Sequence, residues 1–337
     1  YTDTFYMKRK WIRWVSWILL TPIILFVILM VLLYVPPVQN LLRREVTAYA
    51  SKATGMQIQV ERIDLRFPLN LLVRGVEVIQ QPDTLLSLES LNVRVQAWPL
   101  IKGKVEVDEV TLSRVAVNSA DLMEGMNIKG VLGRFFLQSH GVDLSNELAV
   151  INQVELSDTH VQLLMNDTTT TPKDTTASAP INWKVALHQL KLKNVSFSMQ
   201  LPADSMRMAA HIGEAAIDDA QADLKNQYYD LKKFLLSGTS VSYDTGTAQP
   251  AEGFDASHIA VRDIRIALDS LLYKGRDMNA VIREFTMNER SGLSVTSLTG
   301  RAYSNDSVIC VPGLKLNTPH SEIDLSAHTY WELVNIP

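Results

Sequence analysis

The stretch VEVDEVTLSRVAVN, residues 105–118, places apolar residues at Val105, Val107, Val110, Leu112, Val115 and Val117, with polar groups in nearly every gap. Successive side chains of a strand point to opposite sides, so this reads as a strand with one wet face and one oily face. Its template is apolar, any, apolar, any, any, apolar, any, apolar. The template recurs at Ile58, Val60, Ile63 and Leu65, at Leu71, Val73, Val76 and Val78, and at Leu86, Leu88, Leu91 and Val93. Val185, Leu187, Leu190 and Leu192 run on into Val195 and Phe197. Ile259, Val261, Ile264 and Ile266, then Ile309, Val311, Leu314 and Leu316, complete the set. A three-residue step inside a period of two flips the face unless a bulge or bend absorbs one residue. Each unit is therefore expected to be a strand bent or broken at its polar pair. The units share no fixed period, so the chain is not a regular solenoid.

What covers the oily faces is the next question. After residue 55 no strong amphipathic helix of sufficient length is legible. The nearest candidates, 119–138 and 219–236, are interrupted by Gly125, Gly130 and Gly133 or read equally well as strand. The oily faces must meet each other, as in a sandwich or barrel, or enclose something else. Residues 166–180, NDTTTTPKDTTASAP, are low in complexity and poor in apolar groups. They read as a flexible surface loop rather than a domain linker, because the template continues on both sides.

The front of the chain is different. Residues 14–35, WVSWILLTPIILFVILMVLLYV, carry no charge over 22 positions. As a helix they measure roughly 33 Å, enough to cross a hydrocarbon core. Pro22 is tolerable there. Trp11, Trp14, Trp17 and Tyr34 suit the two interfaces, and Lys8, Arg9, Lys10 and Arg13 place the basic segment 1–13 in the cytoplasm. A cleaved signal peptide is the alternative. The run exceeds the usual apolar length and no small-residue cleavage site follows, which favours a retained anchor. Residues 36–55 then form a short amphipathic helix: Val38, Leu41, Leu42, Val46, Tyr49, Ala50 and Ala53 share a face, and Gly55 supplies the stop. It is expected to lie on the membrane or, in preference, to plug an otherwise open first strand edge. Met7 is the expected natural start, and the end at residue 337 stops in mid-pattern, so the β-rich body, 56–337, is expected to continue.

Charge and chemistry exclude several functions. Net charge is −4, and the seven Lys and Arg up to Lys52 face only Asp3 and Glu45, leaving −9 on the remainder. An acidic body does not suit a nucleic-acid partner. One cysteine, Cys310, excludes an intrachain disulfide or a Cys-based zinc site. The seven histidines never take metal-ligand spacing, and neither a phosphate loop nor a nucleophile elbow occurs. Asp108-Glu109 and Asp218-Asp219 are read as solvated turns and His188 as a wet surface group. No catalytic residues, metal or cofactor are expected, and the chain is read as not an enzyme.

The anchor followed by PPVQNLLRREVTAYASKATGMQIQVERIDLRF, LLVRGVEVIQQPDTLLSLESLNVRV and WPLIKGKVEVDEVTLSRVAV resembles the start of the AsmA/TamB family of Gram-negative envelope proteins. INWKVALHQLKLKNVSFSM and YYDLKKFLLSGTSVSYD resemble its TamB branch, although the C-terminal domain usual there is absent. The resemblance implies an elongated, U-shaped half-pipe of mostly antiparallel sheet, apolar within. It implies a single-pass inner-membrane protein with a periplasmic body that moves phospholipid toward the outer membrane. Acyl chains would then occupy a groove lined by Val105, Val107, Val110, Leu112, Val115, Val117, Leu187, Leu190, Leu192, Val195 and Phe197. Aliphatic walls suffice for that task, at about 0.8 kcal/mol per buried methylene. An assembly factor that offers strand edges to outer-membrane proteins, working with a partner barrel, is the second reading. An enzyme or receptor with a dry sandwich body is the third.

Overall fold

The computed structural model describes residues 34–333 apart from 68, 81, 97–98, 100–105, 120–121, 123–124, 144–145 and 167–181. The expected span 14–35 lies outside the described residues except for Tyr34 and Val35, as do segment 1–13, Val105 and all of the expected loop but Asn166. Among the described residues no helix is long and apolar enough to cross a membrane.

Helix α1 (Pro36–Thr54) opens on two prolines, whose fixed φ suits a first turn. It stops at Gly55, left-handed at φ 71°, whose N–H donates to the Ser51 carbonyl at 3.0 Å. The strands follow as β1 (Gln57–Arg66), β2 (Asn70–Gln80), β3 (Asp83–Val95), β4 (Val107–Asn118) and β5 (Met126–Asp143). Then come β6 (Leu148–Met165), β7 (Lys184–Leu201), β8 (Met206–Asp223), β9 (Tyr228–Asp244) and β10 (His258–Lys274). The last are β11 (Asp277–Glu289), β12 (Ser294–Val295), β13 (Ser297–Ser304), β14 (Val308–Asn317) and β15 (Glu322–Tyr330). All belong to one sheet in sequence order, with β12 a short spur on β11. β1 and β15 stand at opposite edges, so the sheet is open. Neither 119–138 nor 219–236 supplies a helix; they fall on β5 and on β8 and β9.

Every pairing is antiparallel except that of β6 with β7, where Leu148 lies beside Lys184 and Leu164 beside Gln200. A parallel neighbour requires the connection to travel back the length of a strand. The low-complexity sequence between them gives no hint of this.

The polar pairs do break the strands. Gly75, Arg114, Asp158, Asn194, Gly238 and Asp263, each the second residue of such a pair, have left-handed backbones with φ between 45° and 60°. That costs a non-glycine residue about 1–2 kcal/mol, less for Asn and Asp. The breaks are also in register. Pairing skips Glu61 and Gly75 together, then Gly75 with Glu89, Glu89 with Arg114, and Arg114 with Gly133. It likewise skips Gly133 with Asp158, Asp158 with Asn194, and Asn194 with Gly213, each time resuming unchanged. A crease therefore crosses β1 to β8 and continues at Gly238. Where two side chains would collide one is absent: a Cβ on Gly75 would sit 2.7 Å from that of Glu61, and one on Gly133 2.7 Å from that of Asp158. Elsewhere they bond, Arg114 to Glu89 as an ion pair and Asn194 Nδ2 donating to Asp158 Oδ1 at 2.8 Å. A shorter second crease passes through Asn152, His188, Asp219 and Lys232. The acidic pairs expected in turns thus lie within strands. Asp219 sits on this crease 3.0 Å from His188 Nδ1, and Asp108 is the extra residue of a bulge between Val107 and Glu109.

Helix α1 does cover the β1 edge, but not with its apolar face. Gln39 Nε2 donates to the Leu65 carbonyl at 2.9 Å, Arg43 Nη1 to the Glu61 carbonyl at 2.6 Å, and Ser51 Oγ accepts from the Ile58 amide at 3.1 Å. These positions are spaced in fours along one stripe of the helix. An edge strand exposes backbone donors and acceptors rather than side chains, so polar groups are the ones that satisfy it.

Candidate functional site

Residues directly opposite in a sheet share a face. Ile63, Val73, Leu91, Leu112, Phe135, Leu156, Leu192, Ala215, Leu236, Ile266 and Phe285 stand side by side from β1 to β11. Every one is apolar. One residue further along each strand the row reads Arg62, Arg74, Ser90, Ser113, Arg134, Ser157, Lys193, Glu214 and Ser237, on the other face and wholly polar. The crease lies next to this polar row. By absorbing one residue per strand it returns the following apolar residues to the same side.

The expected lining residues fall into this pattern. Val110 shares a row with Leu137, Val154 and Leu190; Leu112 shares the next with Phe135, Leu156 and Leu192. Beyond the crease Val115 aligns with Leu132, Thr159 and Val195, and Val117 with Gly130, Val161 and Phe197. Leu187 lies beside Ile151, and the Asp108 bulge brings Val107 into phase with Val110. The two sets, three strand spacings or about 14 Å apart, thus match residue for residue. The intervening β5 and β6 carry none of the templates read from the sequence, although Leu132, Phe135 and Leu137 around Arg134 repeat the same two-faced spacing.

No large side chain is fully buried among the described residues. Leu112, Leu190 and Leu192 are only half-buried, and Val117 and Phe197 are 40% and 39% exposed. An apolar face packed against a second layer would be dry, so this one is uncovered by any described element. At the β10, β11, β13 and β14 end the same face deepens into a hollow of about 230 Å³, lined by Leu271, Tyr273, Met278, Ala280, Ala302 and Ile309 among others. The Asp269 bulge puts Leu271 in phase with Leu268, and so on the apolar side.

Charged groups keep mostly to the creases, the other face and the loops; Glu289, at the end of β11, is buried opposite Val261 on the apolar side. His188, expected to be wet, is exposed and pairs with Asp219. Asp255 accepts from the amides of Ala251 and Ser257 and from His258 Nδ1 at 2.9–3.0 Å. Those donors lower its pKa to about 2. It closes the β9–β10 loop and touches no apolar row. Cys310 is half-buried opposite Tyr303. Among the described residues no group of three or more His, Cys, Asp or Glu has an arrangement able to hold a metal ion. No protein-family model matches the chain, and no curated protein matches it.

Proposed function

We propose that the protein is a membrane-anchored scaffold whose sheet carries phospholipid acyl chains on its apolar face, away from the bilayer, without catalysis. The observation behind this reading is the unbroken apolar row from Ile63 to Phe285, half-exposed at every position but the buried Ala215. In-register bulges bend strands together, and on this reading they curve the sheet into a half-pipe with that face inward. Acyl chains gain about 0.8 kcal/mol per methylene on such a wall, while the open side leaves the headgroup in water. The resemblance of residues 8–118 to the AsmA/TamB family supports the same role, with residues 14–35 as anchor in the inner membrane and the body in the periplasm. A second reading, an assembly factor for outer-membrane proteins, is favoured by one observation: β15, the last strand among the described residues, is exposed almost throughout, an edge that accepts a further strand from this chain or from a partner.

The test uses Leu112→Asp and Leu190→Asp. In a dry core each change would bury an unpaired carboxylate at several kcal/mol and unfold the body. On an open groove both variants accumulate folded. Photo-crosslinkers at Val110 and Leu192 should capture phospholipid in the parent and several-fold less in the variants, while those at Thr111 and Lys191 capture little in either. Equal capture on both faces, or loss of the folded protein, would refute the groove.

A further inference from the structure

Helix α1 has two specialised sides, and the sheet uses only one. Gln39, Arg43 and Ser51 fix it to β1 at three levels, so it has no freedom to roll. About 100° around the helix from that stripe lie Leu42, Val46 and Tyr49, exposed by 39%, 53% and 76%, with Leu41, 55% exposed, about 80° beyond Tyr49. Phe67, at the β1–β2 turn, is 85% exposed and meets the Tyr34 ring edge-on at 6.4 Å. Glu45 and Lys52 lie between Leu41 and Tyr49, at the edge of the Leu42, Val46 and Tyr49 cluster, and Arg44 lies beyond Leu41. The charge-free run 14–35 ends one residue before the helix begins at Pro36.

We infer that α1 lies in the bilayer interface: its apolar side sits at the boundary of headgroups and acyl chains while its polar side holds β1. A helix emerging directly from a membrane span, with an aromatic residue, aliphatic groups and flanking bases on its free side, has the composition that binds such an interface. The phospholipid surface is thus the occupant of the patch, and the first strand of the sheet is set at a fixed height above it. This rests on the reading of 14–35 as a span, but not on lipid movement along the sheet.

The experiment uses the full chain in vesicles of phosphatidylcholine and phosphatidylglycerol, with Cys310→Ser to remove the only cysteine. Single nitroxide labels go at Leu42, Val46 and Tyr49, and at Asn40 and Ala48 as exposed positions off the apolar side. Oxygen, which partitions into lipid, should relax the first three at least three-fold more than the last two, and a water-soluble nickel chelate should do the reverse. Equal nickel access at all five positions would overturn the inference. So would shielding of the first three from both reagents, the signature of a second copy or other protein on the patch. Alkaline carbonate extraction reads the anchor separately: protein released by it fails as a membrane span, whereas retained protein with water-exposed labels fails only as an interfacial helix.

Discussion

Gly133 carries a consequence out of proportion to its size. It faces Asp158 across the crease, where a methyl group would lie 2.7 Å from the Asp158 Cβ and 3.1 Å from two backbone oxygens. Gly133→Ala should therefore destabilise the body by about 1–3 kcal/mol, as forced overpacking does. Gly133→Ala combined with Asp158→Gly removes the Cβ collision but not the backbone one, so the double variant should recover part of the lost melting temperature. Full additivity of the two changes would mean that the crease residues do not touch. The same residue marks a limit of the sequence. Gly125, Gly130 and Gly133 weigh against a helix there, yet nothing local tells that one of them makes room for a side chain 25 positions on. The polar pairs themselves were legible, since a three-residue step in a period of two has to be absorbed somewhere.

Pairs of elements are harder to read than elements. The end of α1 at Gly55 and its place on the first strand edge follow from the sequence; which stripe would do the work did not, because apolar periodicity says nothing about bare backbone. The parallel pair of β6 and β7 was not visible at all. Its strands begin at the same end of the sheet, so the connection must cover about 55 Å of strand. Nineteen peptide steps separate Met165 from Lys184, reaching about 65 Å whatever path they take. Deleting eight residues from within 167–181 leaves a reach of about 38 Å. Composition alone predicts that this low-complexity deletion is harmless. The pairing predicts that it breaks the sheet in two, seen as loss of a single thermal transition and as protease cleavage between the halves. An unchanged transition would argue against the parallel register.

Across the whole molecule, two faces of opposite chemistry run through one open sheet, and the wet apolar face should be detectable without knowing its ligand. A hydrophobic dye such as anilinonaphthalene sulfonate ordinarily brightens on partly unfolded states. Here it should brighten on the native protein below the melting transition and be displaced by short-chain phospholipid. No native-state signal would mean that the face is closed. The two-faced pattern was legible strand by strand in Val110, Leu112, Leu190 and Leu192. Their lateral continuity was not, because it depends on register between strands far apart in the chain.

Because the apolar rows run across the strands, the length of that surface is counted in strands and its width in residues per strand. Each further antiparallel hairpin adds about 10 Å in one direction and alters nothing else. Such a fold can be fitted to a gap of any size by repetition at its free edge, with the cross-section inherited unchanged. The length and the width of that apolar surface are separately adjustable quantities.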